Sequence, residues 1–152
     1  MSVTLNILSN IFQIMLLPAE IESKTLIPAL RAILAKKLAE QHNIREDEIS
    51  KMLGVTQAAI SNYIRGTRGD PKLIEQLLSQ KQVVEMIYEI SDNLASNRAY
   101  TPASLSKFIG LCNYIKTSLL ICDIHHSLES NIDEAICKEC ETMLLKGPGS
   151  VY

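Results

Sequence analysis

The stretch Glu46-Asp47-Glu48-Ile49-Ser50-Lys51-Met52-Leu53-Gly54-Val55-Thr56-Gln57-Ala58-Ala59-Ile60-Ser61-Asn62-Tyr63-Ile64-Arg65-Gly66 constrains this chain more than any other. Ile49 and Leu53 lie four apart and mark the inner face of one short helix. Ser50 is small enough for a second helix to cross closely. Gly54 stands where the chain leaves the first helix, a place for positive φ. Val55 plugs the corner, and the Thr56 hydroxyl can cap the next helix. Ile60 and Ile64 mark the buried face of that second helix. Its other face carries Gln57, Ala58, Ser61 and Asn62, all small or hydrogen-bonding. An ordinary helical hairpin explains the glycine but not the joint placement of small residue, glycine, cap and polar face. The pattern predicts a helix-turn-helix over 46–65, with 57–65 lying against base edges in a major groove.

The surrounding sequence reads as helices throughout. Leu5, Leu8, Ile11, Phe12, Met15 and Leu16 recur at three- and four-residue steps, and Pro18 ends that pattern. Pro28 suits the first turn of a second helix whose buried face is Leu30, Ile33, Leu34 and Leu38, with Asn43 closing it. Helices over Arg45–Leu53 and Gln57–Arg65 follow. Gly66 and Gly69 interrupt the chain, and Pro71 can open another helix. Lys72 to Ala95 is one long helix or two with a bend near Ser79. After a turn at Asn97–Tyr100, Thr101 and Pro102 begin a helix to about Leu120. A last one spans Asn131 or Ile132 to about Leu145, and Gly147-Pro148-Gly149 frays its end. Scarce aromatics (two Phe, five Tyr, no Trp) with abundant Leu, Ile, Ala and Ser agree with an all-α fold. We expect a DNA-binding domain over 1–70 and a helical dimerisation and sensing region over 71–152.

With no 20-residue apolar run, no membrane span is expected. Met1 to Leu17 lacks a basic leader and a clear cleavage site, so it reads as helix in a cytoplasmic protein. Net charge is −2, but its halves differ: residues 1–72 hold nine Lys/Arg against seven Asp/Glu, and residues 73–152 six against ten. A basic DNA-binding half joined to an acidic half has this asymmetry.

The segment "ISKMLGVTQAAISNYIRGTRG" resembles the helix-turn-helix of Cro/repressor-type (XRE) transcriptional regulators. With "LIPALRAILAKKLAEQHNIREDEI" upstream, residues from about Leu26 to Gly69 are similar to the archaeal branch of that group. The resemblance covers roughly a third of the chain, and more loosely the cysteine-bearing tail. It implies a sequence-specific regulator of double-stranded DNA and no enzyme. In that branch a cysteine often precedes the lead-in helix, whereas this chain has Pro18-Ala19-Glu20.

Position assigns roles. Gln57 opens the recognition helix and can pair with adenine through its amide; Ser61 and Asn62 are the next readers, with Ala58 between them. Thr56 can donate to a phosphate. Arg65, Arg68 and Lys72 follow the helix and suit backbone phosphates, supplying affinity rather than sequence choice. Tyr63 reads as packing. A lone helix-turn-helix binds weakly, and the apolar helices after Pro71 point to a homodimer on two half-sites.

Cys112, Cys122, Cys137 and Cys140 all fall in the last 41 residues. Cys137-Lys-Glu-Cys140 has the C-x2-C spacing of a ligand pair, and Cys122-Asp-Ile-His125 the same spacing with histidine. Four cysteines suit an iron–sulfur cluster; Cys122, His125, Cys137 and Cys140 suit tetrahedral zinc. Reactive thiols or a disulfide, and buried small hydrophobes, are the metal-free readings. On one straight helix Cys112 and Cys122 stand roughly 15 Å apart, so Cys112 joins only if that helix breaks or a partner subunit contributes. The first function is therefore a dimeric regulator whose C-terminal half senses a metal, redox state or ligand. The second is an antitoxin-like or structural DNA-binding module whose tail holds a protein partner, with zinc or no metal. No nucleophile–base pair, Gly-rich phosphate loop or paired-carboxylate motif suggests catalysis.

Overall fold

The computed structural model describes residues 16–129 and 131–146. The amphipathic pattern at Leu5–Met15 and the Gly147-Pro148-Gly149 end lie outside them. Among the described residues the fold is helical, without strands.

The first helical stretch departs from expectation. Pro28 does fall in the first turn of α2 (Ile27–Glu40), but the chain enters it already helical, from α1 (Pro18–Ile21) through a π-helical segment (Glu22–Leu26). Pro18 takes the first-turn position of α1, and the Leu17 N–H donates to the Glu20 carboxylate at 2.9 Å. That bond holds the Glu20 carboxyl below its ordinary value. The Ile27 N–H reaches back five residues to the Glu22 carbonyl. A proline inside a helix removes one ladder bond and crowds the preceding turn, and here the π-helical segment stands just before it. The resulting face buries Ile21, Leu26, Leu30, Leu34 and Leu38.

Asn43 (φ 51°) closes the turn after α2. Then follow α3 (Glu46–Leu53), with three acidic residues in its first turn, where the helix dipole favours them, and α4 (Gln57–Arg65). The apolar run after Pro71 is two helices, α5 (Pro71–Leu78) and α6 (Lys81–Asn97). Leu77 and Val83 are both fully buried. Six residues of straight helix would leave them roughly 120° apart around the axis, so the break at Ser79 lets both face inward. Thr101 caps α7 (Pro102–Thr117) reciprocally with Ser104: the Ser104 N–H donates to Thr101 Oγ1 at 3.1 Å, and the Thr101 N–H to Ser104 Oγ at 2.9 Å. The Thr101 hydroxyl also donates to Asn93 Oδ1 at 2.9 Å, tying α6 to α7.

The helix expected to run to Leu120 stops at Thr117. Leu119 adopts φ 62°, and α8 (Leu120–Leu128) leaves in a new direction. A left-handed leucine costs about 1–2 kcal/mol. Leu120, Ile121 and Ile124 are buried in return, each worth about 1.5–3 kcal/mol, so burial wins. α8 packs on α1, where the Leu16 N–H donates to Glu129 at 2.9 Å and Lys116 pairs with Glu22 at 3.1 Å. α9 (Glu134–Lys146) has no buried residue; Cys137, Cys140 and Leu144 are half-buried, while Ile136, Met143 and Leu145 are exposed. Core side chains from Ile21 to Ile124 form one cluster, continuous across the 70/71 position.

Candidate nucleic-acid interface

Two left-handed glycines shape the site. Gly54 (φ 65°) ends α3, and the Val55 N–H closes the corner on the Ser50 carbonyl at 3.1 Å. Gly66 (φ 75°) ends α4, with Gly66 N–H on the Tyr63 carbonyl at 3.2 Å and Thr67 N–H on the Asn62 carbonyl at 3.0 Å. Such closures satisfy the carbonyls a helix end leaves open. Between them Thr56 Oγ1 accepts the Ala59 N–H at 3.1 Å and fixes where α4 starts. Ser50 donates its hydroxyl to the Asp47 carbonyl at 2.7 Å.

Burial separates the two faces of α4. Ala59, Ile60 and Tyr63 are buried, whereas Gln57 and Ala58 are exposed and Ser61 and Asn62 half-buried. Ile64, expected inside, is only half-buried; Tyr63 takes the deeper position. In α3 likewise Met52 is buried and Leu53 half-buried. The 3.6-residue repeat fits both choices, and the packing of α2 against α4 decides between them.

Arg65 Nη2 donates to Asn62 Oδ1 at 3.1 Å, and the Thr67 hydroxyl donates to the same oxygen at 3.3 Å. Sequence reasoning missed Thr67; its position just past the closing glycine was the available signal. Arg65, Arg68 and Lys72 are exposed, and none pairs with a carboxylate among the described residues. The Arg68 guanidinium lies 5.3 Å from the Tyr63 ring centre.

Residues 36–79, from the middle of α2 to the end of α5, match a helix-turn-helix family model. The chain carries a DNA-binding helix-turn-helix. The match supports a transcriptional regulator of the XRE type and spans under a third of the chain. No curated protein and no solved structure gives a significant match. Among the described residues, no helix is long and apolar enough to cross a membrane.

The four cysteines do not meet at one point. Cys112 is buried beside Glu22 and Lys116; burial first, then the Glu22 charge, pushes its thiol up to about 11. Cys122 feels Cys140 and Cys137 instead, and burial followed by those neighbours raises it to about 11 as well. Cys140 is also raised, by burial and then Cys137. Cys122, His125 and Cys140 line one small cavity between α1, α8 and α9. Cys137 Sγ lies 3.4 Å from His126 Nε2, while His125 Nε2 is 3.1 Å from the Glu129 carboxylate. Among the described residues no group of three His, Cys, Asp or Glu side chains is close enough to hold a metal ion. A four-cysteine cluster, which needs all four thiolates within one small sphere, does not fit this arrangement. The helix does break before Cys122, yet the break turns Cys122 toward α9 and leaves Cys112 on the opposite contact. His126 is the imidazole beside the Cys137 thiol, while His125 shares the small cavity with Cys122 and Cys140.

Proposed function

We propose that this chain is a homodimeric, sequence-specific DNA-binding regulator. Gln57, Ser61 and Asn62 read bases, Thr56, Arg65, Arg68 and Lys72 hold phosphates, and the α6–α9 half joins the subunits and senses a signal. The observation that carries it is the two-faced α4: an apolar face packed on α2, and an outward face of small polar residues flanked by cations without carboxylate partners. Much of the apolar surface after Pro71 covers the protein's own core. Of the apolar side chains that remain outside, Leu105 and Ile109 on α7 with Ile136 and Met143 on α9 support pairing of two copies. The thiols of α8 and α9 are the proposed sensing groups, with Cys122, Cys137 and Cys140 rather than Cys112 as the set.

In-vitro selection from random duplexes tests the reading. We expect an enriched inverted repeat with half-sites one helical turn apart, and a chain of dimer mass by light scattering. Enrichment of no sequence would overturn the base-reading assignment. Labelling before and after a mild oxidant tests the thiol set: oxidation at Cys137 that leaves the buried Cys112 intact is expected.

A further inference from the structure

A cleft of about 800 Å³ opens between the second half of α2, the end of α4, α5 and α6. Its floor is apolar: Ile33, Ile74, Val84 and Ile87, with the exposed Leu78 at one edge. Tyr63 and Tyr88 form walls, and Lys36, Lys37 and Arg68 stand around them. None of these three cations pairs with a carboxylate among the described residues. Two rest on the tyrosine walls: Lys37 Nζ is 3.2 Å from the Tyr88 ring centre and Arg68 Cζ 5.3 Å from that of Tyr63.

We propose that this cleft binds a small amphiphile with one carboxylate head and an apolar body. The volume falls in the range of small-molecule sites, and a concave apolar floor with few polar groups is how such sites are built. A cation on an aromatic face gives up less on engaging an anion than one already in an ion pair, so Lys37 and Arg68 are available to a ligand head. Glu40 and Glu75 stand at the exposed margins of the same cleft. They repel additional negative charge and select a monoanion over a nucleotide or a nucleic-acid strand. Gly69 closes the cleft against α2, where a Cβ would stand 3.1 Å from that of Ala32. Arg68, Gly66 and Gly69 follow the recognition helix directly, so an occupied cleft draws on a cation assigned above to DNA phosphates. That coupling rests on the DNA reading; the binding itself does not.

Titration calorimetry on the full chain without DNA tests the site, with decanoate as probe and decyltrimethylammonium as the charge control. We expect one decanoate per chain at saturation and no heat from the cationic analogue. Lys37→Gln should weaken decanoate at least tenfold, and Val84→Trp, which fills the floor, should abolish binding. Leu78→Glu at the exposed edge serves if Val84→Trp fails to fold, and should repel the head with the same result. Equal binding of both amphiphiles, unchanged affinity in these variants, or no decanoate heat at millimolar concentration would each overturn the proposal. A cleft covered by a second copy would give the last outcome together with a Leu78→Glu monomer. Because no DNA is present, failure here is distinct from failure of the base-reading assignment.

Discussion

Asn62 Oδ1 accepts a hydrogen bond from Arg65 Nη2 at 3.1 Å, so the residue placed to read a base is oriented by the residue placed to hold a phosphate. The amide oxygen is occupied and the NH2 is left to donate. Asn62 is thereby suited to accepting atoms on bases, such as guanine O6 or N7 and thymine O4. Asn62→Asp keeps the Arg65 contact but replaces the donor with a negative charge. Duplex binding should fall for every sequence through charge repulsion, and preference at the base that Asn62 contacts should be lost with it. Gln57→Ala should instead lose about 1–3 kcal/mol of discrimination at one base position. Competition binding against single-position operator variants separates the two patterns.

The phosphate assignment makes a salt-dependent forecast. Each cation that neutralises a phosphate contributes about 0.9 to the slope of log affinity against log salt. Lys72→Ala should therefore lower that slope by about 1 and leave sequence preference intact. An unchanged slope would place Lys72 off the backbone.

The glycines that frame the cleft and the helix-turn-helix differ in what surrounds them. At Gly54 an added Cβ meets nothing within 4 Å, so Gly54→Ala meets only backbone strain, about 1 kcal/mol. At Gly69 (φ 94°) the Cβ meets Ala32 at 3.1 Å as well, so Gly69→Ala should cost more, about 2–3 kcal/mol. Denaturant unfolding of the two variants ranks them.

Thiol chemistry should follow pH in a defined direction. Burial holds Cys112 and Cys122 protonated, with both thiols up at about 11 from an ordinary 9.0. Near pH 7 their thiolate fraction is thus roughly a hundredfold below that of a free cysteine, and iodoacetamide should label them slowly in the folded chain. A folded-state pKa above the unfolded one gives stability that is complete below pH 9 and lost as pH rises toward 11. Cys112→Ala and Cys122→Ala should each flatten that alkaline loss, measured as the unfolding midpoint against pH.

Sequence alone determined the helix-turn-helix. Gly54, Thr56 and Gly66 act within four residues of themselves, through backbone φ and a local cap, so their effect is legible without knowing what they pack against. The same holds for Thr101-Pro102 and for the start of α5 at Pro71. Tertiary structure decided what local rules leave open. Pro28 reads as a helix start, but the chain reaches it already helical through the π-helical segment, with Ile21 and Leu26 buried upstream. Leu119 carries no turn signal, yet it breaks the helix so that Leu120, Ile121 and Ile124 can face the core. That break sends Cys122 to α9 and leaves Cys112 against Glu22 and Lys116. Helix geometry already set Cys112 apart from Cys122 unless the helix between them broke; the helix does break, and only long-range packing, which no short window of sequence contains, shows that Cys112 still stays away from the other thiols.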